Sequence, residues 1–352
     1  MDNDIKDYFN NLIEEKSKIE YNYFTMNTDI NIKLYSELDK LKNNKSNYAT
    51  RDISLFCLNI INIYSNNSII GSADLGESTK TLILSNYISK NNFIGNYIHF
   101  GIREHSMAAI ANGLSTFNFI PIISTFLVFM NYCLPSIRLS ALSLHKVIYI
   151  FTHDSIFIGE DGPTHQPIES LTILRSIPNL LVLRPCDVDE VIESYKISLN
   201  YNGPSAIILT RQTIPYINTI YDKNINKGCY IIYQSNINKI PDLIIIATGS
   251  EVSLALEISK ILSNYNIRIV SMVCTQLYDT QDNIYKEYIL PNNITKLSIE
   301  AGSTLGWYKY ANYVKGIDTF GISGNINDII KYFKFDAENI SNYIINNILL
   351  NK

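Results

Sequence analysis

The chain has 352 residues, enough for two domains that each bury a full core. Its 29 basic and 33 acidic side chains nearly balance, which excludes an overall field that would draw it to nucleic acid or a membrane surface. Any phosphate it binds must be held by a few placed residues, and no apolar run approaches the length of a membrane span.

Residues 1–50 are polar and rich in Asn and Lys, with a helical stretch expected around 8–19 and no strand, so they read as a leader or linker. The Met-Asp-Asn-Asp start is acidic where a signal peptide opens basic and then apolar. Cys57, Cys133, Cys186, Cys229 and Cys274 lie far apart, without a Cys-x-x-Cys pair or metal-ligand spacing, as reduced thiols of a cytoplasmic protein do. From Arg51 onward short apolar runs alternate with helical periods, the pattern of a parallel α/β sheet. Strands are expected at 97–100, 121–124, 147–152, 180–183 and 206–210, with helices at 105–117 and 187–199. The second helix opens Asp187-Val-Asp-Glu190, a capping-box spacing that supplies acceptors to the free amides of its first turn. The pattern lapses into a polar stretch over 221–239 and then resumes. A strand at 242–248, a helix at 251–265, strands at 267–273 and 296–299 and a closing helix near 336–350 follow. The expected fold is α/β: two consecutive parallel-sheet domains, 51–222 and 239–352, with a connector at 223–238.

Ligands of open parallel sheets bind at the carboxyl ends of strands. Three such loops carry unusual residues. Gly101-Ile-Arg-Glu104-His105 sits between an apolar strand and an Ala-rich helix, where a glutamate is also favoured by the helix dipole alone. The run 152–167 places His153, Asp154, Glu160, Asp161 and His165 in one glycine-punctuated loop, a concentration of titratable groups that a plain surface loop does not need. Its spacing does not suit a metal. Arg211 ends a strand and serves equally as a structural residue or a phosphate fork. Arg51 and Ser78 are weak signals singly, and Phe126, Phe129 and Tyr132, at helical spacing, read by default as core.

Together these segments resemble transketolase. The ordered set is Gly-Ser-Ala-Asp-Leu (71–75), Gly-Ile-Arg-Glu-His (101–105), Thr-Phe-Leu-x-Phe (125–129), Arg-Leu-Ser-Ala-Leu (138–142), Thr-His-Asp-Ser (152–155), Gly-Glu-Asp-Gly-Pro-Thr-His-Gln-Pro (159–167), Arg-Gln (211–212) and Ala-Thr-Gly-Ser-Glu-Val-Ser (247–253). The resemblance implies a pyrimidine-binding domain followed by the family's C-terminal domain, and thiamine diphosphate as cofactor. It implies that Glu104, a mostly buried carboxyl, shares a proton with the aminopyrimidine ring. Phe126, Phe129 and Tyr132 would pack around that ring, with Asp74 and Leu75 beside the cofactor. Arg51, Ser78, His153 and Arg211 would hold the phosphate of a sugar, and Asp161 and His165 would face its hydroxyls and reacting carbons.

Two departures stand out: Ile70 and Phe157 occupy positions where the family usually has glycine, and Phe157 would add bulk inside the loop. The family's Gly-Asp-Gly, which holds the diphosphate and its divalent metal, is missing from the sequence. The resemblance therefore implies the C-terminal subunit of a split transketolase of the pentose phosphate pathway, without a metal site of its own. Its expected partner is a diphosphate-binding N-terminal subunit that holds magnesium or calcium, self-associated with it as a heterotetramer, and its substrates are sugar phosphates. Two other readings remain. One is a different enzyme of the superfamily, dihydroxyacetone synthase or deoxyxylulose-phosphate synthase, the latter disfavoured by the loop 153–165. The other is a non-catalytic remnant or interaction subunit.

Overall fold

The computed structural model describes residues 28–350 except 44, 66 and 84; the helix expected around 8–19 lies outside the described residues. Helix α1 (Thr28–Lys40) leads through a two-residue strand, β1 (Tyr48–Ala49), into helix α2 (Thr50–Tyr64). Leu34 and Leu38 are four residues apart on α1, and both are buried in the core formed with α2 and the first sheet. Residues 28–40, expected to be linker, are therefore part of the first domain. Two leucines in a polar helix make too narrow a stripe to stand out as periodicity.

Six runs, β2 (Ser68–Ser72), β3 (Tyr97–His99), β4 (Ile120–Phe126), β5 (Ile148–Thr152), β6 (Leu181–Leu183) and β7 (Ser205–Leu209), form one wholly parallel sheet. Their order is β3-β2-β4-β5-β7-β6. The central strands read as unbroken Ile-rich runs because both faces are covered. Ile122, Ile148 and Ile150 face a core built with α2 and with α6 (Val188–Asn200). Their neighbours Ile123, Tyr149 and Phe151 face a second core, built with α3 (Glu104–Ser115) and α4 (Met130–Ser143). A short helix α5 (Ser170–Arg175) precedes β6. The side chain of Asp187 caps α6 by accepting from Glu190 N at 3.0 Å, while the Glu190 carboxylate reaches back to Cys186 N at 2.7 Å. After β7, the two-residue strand β8 (Thr213–Ile214) pairs with β1 antiparallel.

The second sheet comprises β9 (Tyr230–Gln234), β10 (Leu243–Ala247), β11 (Ile267–Ser271), β12 (Lys296–Ile299) and β13 (Tyr313–Lys315), in the order β13-β12-β10-β11-β9. All its pairings are parallel except β9 against β11. The stretch 223–238, expected to be a connector, thus supplies an antiparallel edge strand. Helices α7 (Glu251–Ile261), α8 (Thr275–Asp279), α9 (Asn283–Ile289), α10 (Ile326–Phe333) and α11 (Ala337–Ile344) complete the domain. Ile70, in β2, is fully enclosed in the core and lines no loop.

Candidate active site

The chain runs from β2 outward to β3 and then returns to the other side of β2 as β4, so the strand order reverses between β2 and β4. At such a switch point the loops beyond the carboxyl ends part and leave a crevice. The loops after β2, β3, β4, β5 and β7 carry, in turn, Asp74 to Ser78, Glu104, Phe126 to Tyr132, His153 to His165, and Arg211. Arg51 joins them from the first turn of α2.

His153 follows β5 with φ +60, a left-handed conformation that costs a non-glycine residue about 1 kcal/mol or more. The turn lays its imidazole on Phe126, with ring centroids 3.7 Å apart, and Nδ1 shares a hydrogen bond of 2.8 Å with Thr152 Oγ1. Burial, reinforced by the cations Arg51 and Arg211 and by His165, pushes the His153 pKa down to about 3, so the ring is neutral at physiological pH. Arg51 donates to the Ser78 carbonyl at 2.7 Å, and its Nε is buried without a partner. Arg211 donates to the Ile158 carbonyl at 3.3 Å. Two guanidiniums that repel each other, a neutral imidazole and an orphaned donor form an environment suited to an anion. Ser78 itself is exposed and meets Arg51 through its carbonyl, not its hydroxyl.

Phe126 and Phe129 stack at 5.8 Å with 14° between their planes, and His165 stands edge-on to both, at 6.1 and 5.4 Å. Tyr132 leans on Phe129 at 6.2 Å but is 63% exposed, so it lies on the open side of this wall. Glu104 opens α3 and is partly, not mostly, buried; its backbone carbonyl accepts from Cys133 Sγ at 3.3 Å. That bond ties it to the start of α4, just beyond Phe129 and Tyr132. Among the described residues its carboxylate has no hydrogen-bond partner. Asp74, at φ +64, is exposed, and Leu75 N donates to Ser72 Oγ at 3.3 Å. Asp161 is exposed at the end of the 3₁₀ turn Ile156–Asp161. Phe157 does not crowd the loop's interior: it packs on Phe335 of the second domain, centroids 6.3 Å apart.

A flat aromatic wall of this kind suits stacking on a planar ring such as an aminopyrimidine. Among the described residues no three His, Cys, Asp or Glu side chains converge as metal ligands do. Two groups of site-supporting residues escape sequence reasoning. One is a buried hydroxyl cluster of Thr79, Thr81 and Ser124, spaced 2.6–3.2 Å, that fixes the Asp74–Ser78 loop from behind. The other is a buried ionic network in which Arg184 meets Asp154, Glu251 and Glu300. Arg175 forks onto Glu300 with two bonds of 2.8 Å, and Trp307 Nε1 donates to the same carboxylate. Burial pushes the Glu251 carboxyl up to about 7 even with Arg184 against it. Burial also opposes ionisation of Glu300, but Arg175, Arg184 and Trp307 overcome it and hold that carboxyl below its usual value. The signal for Arg184 was slight: a lone arginine ending the apolar strand β6.

Residues 46–216 match the family model for the transketolase pyrimidine-binding domain, and residues 228–336 match that for the transketolase-like C-terminal domain. A transketolase of Aquifex aeolicus is 41% identical over 321 residues, covering 88% of this chain and 46% of that protein. The chain spans about half the length of the curated relatives it matches. The solved transketolase of Leishmania mexicana superposes with a TM-score of 0.82 at 38% identity, over 85% of this chain and 45% of that one. A chain described as a split gene transketolase, inactive beta4 tetramer, shares the fold at 22% identity and a TM-score of 0.70, over 86% of this chain and 99% of that one. The chain belongs to the transketolase family, of which it carries the pyrimidine-binding and C-terminal domains.

Proposed function

We propose that this chain is the sugar-phosphate and pyrimidine side of a transketolase, which moves a two-carbon ketol unit from a ketose phosphate to an aldose phosphate. A diphosphate-binding partner chain completes the site and holds the cofactor's diphosphate with magnesium or calcium. The observation that carries the reading is the meeting of Arg51, His153 and Arg211 beside Phe126, which stacks on Phe129. Thiamine diphosphate, when bound, supplies the electron sink for making and breaking the bond next to the sugar carbonyl. Glu104 holds a proton at the ring nitrogen of the pyrimidine, and the two phenylalanines exclude water from it. Arg51 and Arg211 neutralise the sugar phosphate, neutral His153 bonds it without adding charge, and His165 and Asp161 face the sugar carbons and hydroxyls.

Two features support a separate partner. On and just before α3 and α4, the helices that follow the site loops, Ile102, Ile110, Tyr132, Leu139 and Leu142 are exposed. A solved chain matched over nearly its whole length is described as belonging to a split gene transketolase, although at its identity the likeness is one of fold. Five buried free thiols suit the cytoplasm, and no helix among the described residues is long and apolar enough to cross a membrane.

The phosphate clamp has a direct test. A charge-assisted bond contributes about 1.5–3 kcal/mol, roughly ten- to hundredfold, only when its phosphate is present. In the chain reconstituted with its partner, Arg211→Ala should lower the specificity constant for a phosphorylated ketose by that factor and leave hydroxypyruvate nearly untouched. An unchanged ratio of the two constants removes Arg211 from the clamp, and Arg51→Ala is judged the same way.

A further inference from the structure

The second domain grips the loop that carries His153, Asp161 and His165 at both of its ends. At the near end Asp154, the residue after His153, accepts Arg184 Nε at 3.0 Å and Nη2 at 2.7 Å on one oxygen. Arg184 Nη1 donates onward to the Thr248 carbonyl at 3.1 Å and to Glu251, both in the second domain. At the far end Gln166 Nε2 faces the carbonyls of Ile156, Gly159 and Ile322 at 3.3, 3.2 and 3.0 Å, the last again from the second domain. Ser323 Oγ donates to the Glu160 carbonyl at 2.7 Å. The approach is close: a methyl group added at Gly159 would stand 3.1 Å from Ile326, and one at Gly162 would stand 3.1 Å from Ser323. Both glycines also have φ near +75, which other residues rarely adopt.

These contacts are not general glue between the domains. The same interface is sealed elsewhere by Glu190 of α6, which accepts from Tyr230 at 2.8 Å and from Ser271 and makes no contact with the loop. Arg184 and Gln166 instead bond directly to the loop backbone or to the neighbour of His153, and neither points to solvent: both are buried.

We propose that the second domain serves the reaction as the mount of loop 153–166, and that Arg184 and Gln166 are the positioning residues through which it acts. This rests on the reading of that loop as the sugar-phosphate site. Two properties should change together when the mount is loosened: the enclosure of His153 among Phe126, Arg51, Arg211 and His165, and the use of phosphorylated sugars.

The first property is read by NMR on the free chain carrying isotope-labelled histidine. Wild-type His153 should show no titration between about pH 5 and 8, because burial and the neighbouring cations Arg51 and Arg211 keep it neutral. In Gln166→Ala the freed loop should bring its midpoint up by about two pH units or more, into that window. Ser271→Ala, which loosens the same interface away from the loop, should leave it silent. Should Gln166→Ala fail to fold, Ser323→Ala, an exposed position, is the substitute with a smaller shift in the same direction. The second property is read after reconstitution. Gln166→Ala should lower the specificity constant for a phosphorylated ketose about tenfold more than that for hydroxypyruvate, the size of one lost charge-assisted contact. A folded Gln166→Ala in which His153 stays silent overturns the mount, and so does a Ser271→Ala in which His153 titrates equally. If the histidine responds but reconstituted wild type transfers no ketol unit, the transketolase reading fails and the mount stands.

Discussion

At His153 burial and charge act in the same direction, and that fixes both its state and its cost. An unfolded histidine binds a proton below about pH 6.5, whereas the native ring does so only near 3. Between those values the unfolded chain binds more protons, so stability falls as pH drops, by up to about 1.4 kcal/mol per pH unit from this one group. His153→Gln removes that proton uptake. Its unfolding free energy, measured by denaturant titration across pH 3.5–6.5, should fall less steeply with acid than that of wild type. An identical slope would mean the ring is not shielded. Glu104 is the reverse case, a carboxylate left free for a ligand. Glu104→Gln keeps the shape of the helix start but not the shared proton. We expect an unchanged thermal midpoint and a loss of turnover of about a hundredfold or more in the reconstituted enzyme. Near-normal proton exchange at the reactive carbon of thiamine diphosphate would remove it from that role. These residues were legible because each stands in a run that combines unusual side chains with glycine or an abrupt end of apolar sequence. Arg184, Gln166 and the Thr79–Thr81–Ser124 cluster were not, because what singles them out is burial and partners over a hundred residues away in some cases, which no local pattern carries.

The elements were legible where one physical demand dominates. Strands β4, β5 and β7 lie between helices on both faces, so every position is buried, most are apolar, and the run is conspicuous. Edge elements answer to weaker demands. β9 is a five-residue run, Tyr-Ile-Ile-Tyr-Gln, on the rim of its sheet and sits among Asn and Lys, so it reads as part of a connector. β13 spans three residues of intermediate burial, and α8 and α9 are five and seven residues long, too short for a helical period to show. Helix α1 hides in polar sequence for the same reason: two buried leucines, with Tyr35 packed beside them and bonded to Asn200 at 2.9 Å, anchor it on the core. Leu38 is fully enclosed, and Leu38→Ala should cost about 2–5 kcal/mol, read as a lower denaturant midpoint with an unchanged slope. A loss below about 0.5 kcal/mol would return α1 to the status of a linker.

At the scale of the whole molecule the two sheets are not independent beads. Arg184 lies fully buried between them with carboxylates from both sides, and removing one member of such a network typically costs about 3–5 kcal/mol, because the remaining charges are left unpaired. The first domain therefore relies on the second for the shape of its own loop, while α3 and α4 expose Ile110, Tyr132, Leu139 and Leu142. Under the proposed function a partner chain supplies the side of the site that this chain does not line. The measurement that bears most directly on this account is ketol transfer by the purified chain, assayed alone and after mixing with a diphosphate-domain chain, with thiamine diphosphate and magnesium present in both. The account predicts no transfer by the chain alone, and transfer in the mixture that disappears when either cofactor or metal is withheld. Turnover by the chain alone, at a rate that the partner does not raise, would contradict it.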